Sequence, residues 1–188
     1  MALADGARHD DVVDLIKGQH GQVKSLFATL RTANGKAATK AFDDLRAMLA
    51  VHETAEEEII YPALRGLGFD DIVEARLAEE DEAKKTLADL EKMGPTAAGF
   101  AGELAAFEKA VLAHADAEET HVLPRLEQGI EPEERQKMAL AVLAAEAVAP
   151  THAHKMAPTS ATGNLVVGPF VAIVDRVRDA IAEHRRAG

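Results

Sequence analysis

The chain has 188 residues, 47% of them hydrophobic, and a formal net charge of −11. This length and composition suit one globular domain with a buried core, and the acidic surplus argues against nucleic acid or an anionic membrane as partner because phosphates would be repelled. The chain has no cysteine, which excludes disulfides, thiolate zinc sites and a cysteine nucleophile.

The N-terminus shows no targeting pattern. Residues 1–14 carry acidic side chains and no apolar core of signal-peptide length, and no run of about 18 apolar residues occurs anywhere in the chain. We therefore expect a cytoplasmic protein without membrane contact.

The composition favours an all-α fold, since the chain has six Phe, one Tyr and no Trp beside many Ala, Leu, Glu and Lys. A first helix is predicted over about residues 9–32, where Ile16, Val23, Phe27 and Leu30 recur at steps of three and four. His20 lies within this apolar stripe, which makes it a candidate functional residue.

A second helix follows the break at Asn34-Gly35, and its stripe includes two polar residues, His52 and Glu56. A histidine and a glutamate four residues apart share one face of a helix. We expect Pro62 to end or kink this helix.

The third and fourth predicted helices repeat this arrangement. The third ends near Gly94-Pro95 and has Glu80 in its apolar stripe, and the fourth has His114 and Glu118 in its stripe and stops at Pro124. The fourth helix therefore contains the same His-x-x-x-Glu pattern as the second.

The helices are predicted to form two hairpins, with turns near residues 33–37 and 94–98. His20 and His52 lie at similar distances from the first turn, and Glu80 and His114 at similar distances from the second. The predicted fold is therefore an antiparallel up-down four-helix bundle in which six polar side chains meet at one level: His20, His52, Glu56, Glu80, His114 and Glu118.

Buried carboxylates require a compensating charge, because an isolated ionised group in a helix core costs several kcal/mol. Histidine and carboxylate donors together suit iron, manganese or zinc, and six inward donors exceed the four that a tetrahedral zinc ion takes. The pattern predicts two metal ions, with iron favoured.

Other interpretations exist for single residues. A lone histidine in an apolar stripe is usually a core residue, and Asp81 would replace Glu80 if the third helix were rotated by one residue. Glu57 and Glu119 are either solvated or orient a ligand histidine. His121 is a further candidate ligand, although core packing or a surface position fits it better; His152 and His154 lie in a long connection and either cap the site or are hydrated.

A C-terminal extension covers residues 127–188. A fifth helix is predicted from Pro132 to about Ala149, and its apolar face should pack on the bundle. A long connection over residues 150–168 precedes a last helix at about 169–185. We expect a monomer or a homodimer.

Three fragments of the sequence resemble the hemerythrin-like family, also called the HHE cation-binding domain, over about residues 10–126. The fragments are Asp14-Leu15-x4-His20, then His52-x3-Glu56-Glu57 with Tyr61-Pro62, then His114-x3-Glu118-Glu119 with Leu123-Pro124. The resemblance implies a four-helix bundle with a non-haem di-iron centre, oxo- or hydroxo-bridged, in which Glu56 and Glu118 bridge the metals.

The third helix departs from the family pattern. The family normally has a histidine there after a glutamate, whereas this chain has Glu79-Glu80-Asp81. A carboxylate adds negative charge and favours ferric iron, so the resemblance implies a protein that reacts with peroxide or dioxygen, with peroxide disproportionation as the leading activity. The alternative is reversible binding of dioxygen or nitric oxide, sensing, or iron storage without turnover.

Overall fold

A computed structural model of the chain describes residues 11–148, with side chains to residue 144, and this part contains seven α-helices and no strand. The helices are α1 Val12–Thr32, α2 Lys36–Ala55, α3 Tyr61–Gly66, α4 Asp70–Met93, α5 Phe100–Ala117, α6 Leu123–Gly129 and α7 Pro132–Val148. The predicted all-α fold is confirmed, and the long helices α1, α2, α4 and α5 form the four-helix bundle.

The helix ends follow from local chemistry. The side chain of Asp11 accepts a hydrogen bond from the backbone N–H of Val13 at 2.9 Å, which caps α1. Gly35, with φ of 56°, separates α1 from α2, and Gly94 and Gly99, with φ of 79° and 90°, bracket the connection between α4 and α5. These left-handed conformations favour glycine, and the two hairpin turns lie where the sequence predicts them.

Each hairpin also contains one π-helical turn, which the sequence analysis does not predict. These turns are Glu56–Ile60, between α2 and α3, and Glu118–Val122, between α5 and α6. The prediction that the fourth helix stops at Pro124 is wrong, because helical structure continues through α6. Each π turn is followed by a new α-helical segment, and Pro62 and Pro124 lie in the first turn of these segments, α3 and α6. A proline there breaks no α-helical hydrogen bond, because the N–H groups of a first turn have no partner within the helix.

The hydrophobic core consists of two clusters. The cluster that we call the lower core joins the start of α1 to α3, α6 and α7, and includes Ile16, Ile59, Leu64, Val73, Leu126 and Met138. The cluster that we call the upper core lies toward the hairpin turns and includes Val23, Phe27, Leu45, Leu49, Leu90 and Phe107. His20 falls between Ile16 and Val23 on α1, so a polar layer separates the two clusters.

Helix α7 contacts α1, α2 and the first π turn. Met138 and Val142 are buried in the lower core, and the Nε of Arg135 lies 2.7 Å from the Oδ2 of Asp11, which links α7 to the N-cap of α1. Helix α7 thus packs on the bundle, whereas the division into two domains at residues 126/127 stays a prediction. The connection over residues 150–168, its His152 and His154, and the helix at 169–185 lie outside the described residues. Among the helices that the structure describes, none is both long and apolar enough to cross a bilayer.

Candidate metal centre

The six predicted ligand residues come together between the two core clusters, and we call them the polar layer. His20 lies on α1, His52 on α2, Glu80 on α4 and His114 on α5, whereas Glu56 and Glu118 begin the two π turns. Five of these side chains are buried, and 13% of the His114 side chain is exposed. Helix α4 turns Glu80 rather than Asp81 toward the interior, since Glu80 is only 2% exposed and the neighbouring Asp81 is exposed.

Donor atoms of the polar layer fall into two groups, each spanning at most 4.8 Å. The first group comprises His20, His52, Glu56 and Glu118, and the second comprises Glu56, Glu80 and His114. Glu56 belongs to both groups. Two adjacent groups that share one carboxylate are the arrangement that a pair of metal ions requires.

Each histidine is oriented by a partner on its outer nitrogen. The Nδ1 of His20 lies 2.8 Å from Glu119 Oε1 and the Nδ1 of His114 lies 2.9 Å from Glu79 Oε2. The Nδ1 of His52 lies 2.8 Å from the side-chain oxygen of Gln19. When these oxygens accept a hydrogen bond from Nδ1–H of a neutral imidazole, the lone pair is on Nε2, the nitrogen available to a metal.

The inner nitrogens point at carboxylate oxygens. The Nε2 of His52 lies 3.3 Å from Glu56 Oε1, and Glu118 Oε2 lies 3.3 Å from the Nε2 of His20 and 3.5 Å from that of His114. A single oxygen of Glu118 is therefore close to both groups. These distances are too long for good hydrogen bonds and leave room for an ion between the donors.

Five inward atoms of the polar layer are buried without a hydrogen-bond partner among the described residues. They are His20 Nε2, His114 Nε2, Glu56 Oε2, Glu80 Oε2 and Glu118 Oε2. A buried unsatisfied polar atom costs about 1–3 kcal/mol, and more when it is charged. All five atoms are the type of donor that iron or another divalent metal accepts, so the polar layer fits a metal pair chemically.

Tyr61 is a further residue of this site, and the sequence analysis missed its role. Its hydroxyl lies within hydrogen-bond distance of Glu80 Oε1 and, at 3.0 Å, of Glu118 Oε1, so that its single proton is shared between the two carboxyl groups, and the residue is 2% exposed. Tyr61 follows Glu56 by five residues, a spacing that faces different directions in a regular α-helix but one direction across a π turn. The available signal was a single tyrosine just after a glutamate ligand.

The buried carboxyl groups of the polar layer have strongly shifted pKa values. Burial, followed by the charge of Glu118, raises the pKa of Glu56 well above its usual range. Burial also raises the pKa of Glu80 to about 8, against the opposing hydrogen bond from Tyr61. For Glu118, burial acts upward but is outweighed by the nearby imidazole of His20, 3.3 Å away, and by the charge of His114, which lower its pKa to about 2.

The histidines differ from one another. Burial lowers the pKa of His52 to about 3, so this imidazole is neutral at any physiological pH and is available as a ligand. For His20, burial acts in the same direction but is outweighed by the nearby carboxylates of Glu118 and Glu119, so that its pKa is raised.

Two other candidates are not part of the polar layer. Glu57 forms an ion pair with Lys84, whose side chain is 43% exposed, at the surface of the bundle. His121 is exposed and belongs to neither donor group, which agrees with the surface position that the sequence favours over a ligand role. Its counterpart in the first π turn, Ile59, is buried because α7 contacts that turn, whereas an imidazole at the second turn is left in water.

An apolar cavity of about 370 Å³ adjoins the polar layer on the side of the upper core. Its polar wall includes His20, His52, Glu80 and His114. Its apolar wall includes Val23, Leu49, Phe107 and Val111. The histidine side of the polar layer therefore faces open space that a small molecule can occupy.

The fold and the site together define a helical bundle of the metal-binding class. The family model "Hemerythrin HHE cation binding domain" matches residues 11–126, and the chain belongs to this family. Its domain type binds metal ions, and the polar layer is the His/Glu cluster that can hold them here. The resemblance noted in the sequence is thus confirmed.

Individual proteins similar to this chain include a hemerythrin-like protein of Schizosaccharomyces pombe, 28% identical over 89% of this chain and 85% of that protein. A DNA nickase of a Nostoc species is 24% identical over 77% of this chain and 42% of that protein. A crystal structure of a hemerythrin HHE cation binding domain-containing protein from Mycobacterium kansasii superposes with a TM-score of 0.65 at 24% identity, covering 88% of this chain and 98% of that one. The crystal structure supports the fold.

Replacing Glu119 with alanine should weaken metal binding by about 10–100-fold, because the outer partner of His20 fixes the ring and its tautomer. Glu119 is exposed, so folding should be little affected. The matched control is Glu103→Ala, which removes an exposed acid of α5 away from the site. Competition with a chelator measures the affinity, and equal affinities in the two variants would contradict this role of Glu119.

Replacing Tyr61 with phenylalanine should destabilise the metal-free protein by about 1–3 kcal/mol, because the pair Glu80 and Glu118 loses the one buried hydroxyl that contacts both. The loss should be smaller in the metal-loaded protein, where the carboxylates have a cation to bind. Denaturant unfolding of both forms measures the difference. An equal loss in the two forms would show that packing of the ring, rather than its hydroxyl, matters.

Proposed function

We propose that the polar layer holds two iron ions and that this protein reacts with peroxide, most simply by decomposing hydrogen peroxide. The observation that carries the proposal is the set of five buried inward atoms without partners, distributed over two donor groups that share Glu56. Three carboxylates and three imidazoles, without sulfur, suit iron in its higher oxidation states.

The residues have separate roles in this proposal. His20, His52 and Glu118 would hold one ion, His114 and Glu80 the other, and Glu56 both. Bound iron supplies the redox steps that side chains lack. The chain itself positions the donors through the π turns and keeps bulk water away through the two core clusters.

Proton transfer is a further role that the chain can perform. The Oε2 of Glu80 lies 3.6 Å from the Nζ of Lys84, which also contacts Glu57 at the surface. Glu80 lines the cavity as well, so it connects the cavity with an exposed ammonium group. Peroxide decomposition requires protons to move at the reacting oxygens, and Glu80 is placed to exchange them.

The competing function is reversible binding of dioxygen or nitric oxide, or iron storage, in which no turnover occurs. The absence of a histidine at positions 79–81 argues against an oxygen carrier, because each added carboxylate stabilises ferric iron relative to ferrous iron. Nicking of DNA, the activity that the name of the Nostoc relative states, is disfavoured for this chain because its net charge of −11 repels DNA.

Iron-loaded protein should evolve oxygen from hydrogen peroxide, and Glu118→Ala should lower the rate by at least about tenfold because a carboxylate near both donor groups is lost. Metal content and an optical spectrum are measured first, since a ferric pair absorbs in the near ultraviolet where zinc is silent. Glu103→Ala again serves as the control. A stable, reversible spectral change with dioxygen and no oxygen evolution would favour the competing function, and protein purified without bound metal would favour a metal-free scaffold.

A further inference from the structure

We propose that the apolar cavity beside the polar layer binds an organic hydroperoxide, a neutral molecule with an apolar body, rather than hydrogen peroxide alone. This inference rests on the proposed reaction with peroxide and names its substrate class. It is carried by the size, the wall chemistry and the charge of the cavity.

The size of the cavity is the first argument. A water molecule takes about 30 Å³ of liquid volume, and hydrogen peroxide, with two oxygens, needs little more than twice that. The cavity of about 370 Å³ is several times larger and falls in the range of sites that hold organic ligands. A site for hydrogen peroxide alone has no need of this volume.

The wall chemistry is the second argument. Val23, Leu49 and Phe107 are buried side chains of the upper core, and Val111 packs against the same cluster. Water in such a space has few polar partners, so an apolar body displaces it favourably. The histidines at the opposite wall provide polar contacts for a single oxygen-bearing group.

The entrance is lined by small residues of two helices. Ala83 on α4 and Ala110 and Ala113 on α5 line the cavity, and the two α5 alanines are exposed to solvent. The cavity therefore reaches the surface at α5. A larger side chain at Ala110 would occupy part of the cavity without entering the core.

The charge of the lining is the third argument, and it restricts the ligand to a neutral one. The lining within the described residues contains no lysine or arginine, and its four carboxyl groups, Glu53, Glu79, Glu80 and Glu82, are each paired with a basic side chain outside the lining. A carboxylate ligand such as a fatty acid would lose its hydration in this cavity without gaining a lysine or arginine partner, whereas a hydroperoxide or an alcohol carries no charge at neutral pH. The ligand class is therefore a neutral hydroperoxide with an apolar body.

Binding to metal-free protein tests the inference without turnover. Cumyl alcohol, the unreactive analogue of cumene hydroperoxide, should bind one site per chain by calorimetry and shift the methyl resonances of Val23 and Leu49. Hydratropate, an anion of similar size, should bind at least about tenfold more weakly, because its carboxylate would be desolvated in a cavity that offers it no lysine or arginine. No binding of the alcohol, or equal binding of the anion, would overturn the proposal.

Two variants localise the binding. Ala110→Phe and Ala83→Leu should each weaken the alcohol by at least about tenfold through steric overlap. Ala106→Phe, an equal enlargement at an exposed position of α5 outside the lining, should leave affinity unchanged. Unchanged affinity in both cavity variants would place the ligand elsewhere and overturn the assignment.

Iron-loaded protein then separates this inference from the proposed function. The reaction measured is disproportionation, which needs no added reductant: two molecules of cumene hydroperoxide give two of cumyl alcohol and one of dioxygen. If the alcohol binds but neither cumene hydroperoxide nor hydrogen peroxide is consumed, the peroxide reaction is wrong and the cavity has another neutral ligand. If hydrogen peroxide is consumed at equal rates by the wild type and Ala110→Phe, and cumene hydroperoxide is not consumed, the reaction stands and the substrate class is wrong. Preferential loss of cumene hydroperoxide consumption in Ala110→Phe supports both.

Discussion

Removing bound metal should lower the melting temperature of this protein by more than about 10 °C near pH 8, because several kcal/mol of binding free energy is linked to folding. Without a cation, the folded chain brings three carboxyl groups together in a buried layer. With metal, the same groups become ligands, and the five unpartnered atoms of the polar layer gain a partner.

The decrease in melting temperature on metal removal should also depend on pH, because two carboxyl groups of the polar layer have raised pKa values. Burial raises the pKa of Glu80 from 4.5 to about 8 and that of Glu56 well above 4.5. Between about pH 5 and about pH 8 these two carboxyl groups retain protons in the folded metal-free chain that the unfolded chain releases, which lowers the free energy of unfolding as pH rises. His52, whose pKa burial lowers from 6.5 to about 3, acts in the opposite direction only below about pH 6.5, so the fall should be clearest between about pH 7 and about pH 8. Metal loading removes these protons, and the difference between the two forms should widen across this range.

Calorimetry of the metal-free and loaded protein at several pH values measures this effect. Glu80→Gln removes one of the two titrations while keeping an acceptor for Tyr61, so the pH dependence of its metal-free form should be weaker. Asp81→Asn is the matched control, since Asp81 is the exposed neighbour and its loss should change little. Metal-free protein that becomes more stable toward pH 8 would contradict the electrostatic description of the polar layer.

The sequence predicts much of the polar layer because helical periodicity fixes which residues share a face. His20, His52 and His114 occur at stripe positions, and their separation in the chain matches the two hairpins that the structure contains. Glu80 also follows from periodicity, because exchanging it for Asp81 would break the apolar rhythm of α4. Such inferences succeed where the helix is regular.

Periodicity fails where the helix is irregular. The π turns rotate the residues that follow them relative to a regular α-helix, so that Tyr61 faces the same interior as Glu56, and the helices continue beyond both prolines.

The hydrogen-bond partners of the histidines also could not be predicted from the sequence. Gln19 and Glu79 are adjacent in the chain to predicted ligands and resemble ordinary polar residues, and only the packing of the helices shows that they contact the rings of His52 and His114.

The two donor groups should lose metal differently when their carboxylates are replaced. Glu80→Gln removes a donor from the second group only, where Glu56 and His114 remain, and leaves all four donors of the first group. We therefore expect this variant to retain one metal ion per chain with nearly the affinity of the wild type. Metal-to-protein ratios after dialysis, followed by chelator competition, measure both quantities.

Glu56→Gln should have the larger effect, because Glu56 is the residue that both groups contain. The second group is left with Glu80 and His114 and should lose its metal, and the first group should bind its metal at least about tenfold more weakly. Asp81→Asn, which makes the same kind of change on the exposed face of α4, should retain both ions. If Glu56→Gln retained two ions, or Glu80→Gln lost both, the two groups would not share a carboxylate in the way that the structure indicates, and the description of the site as a metal pair would be wrong.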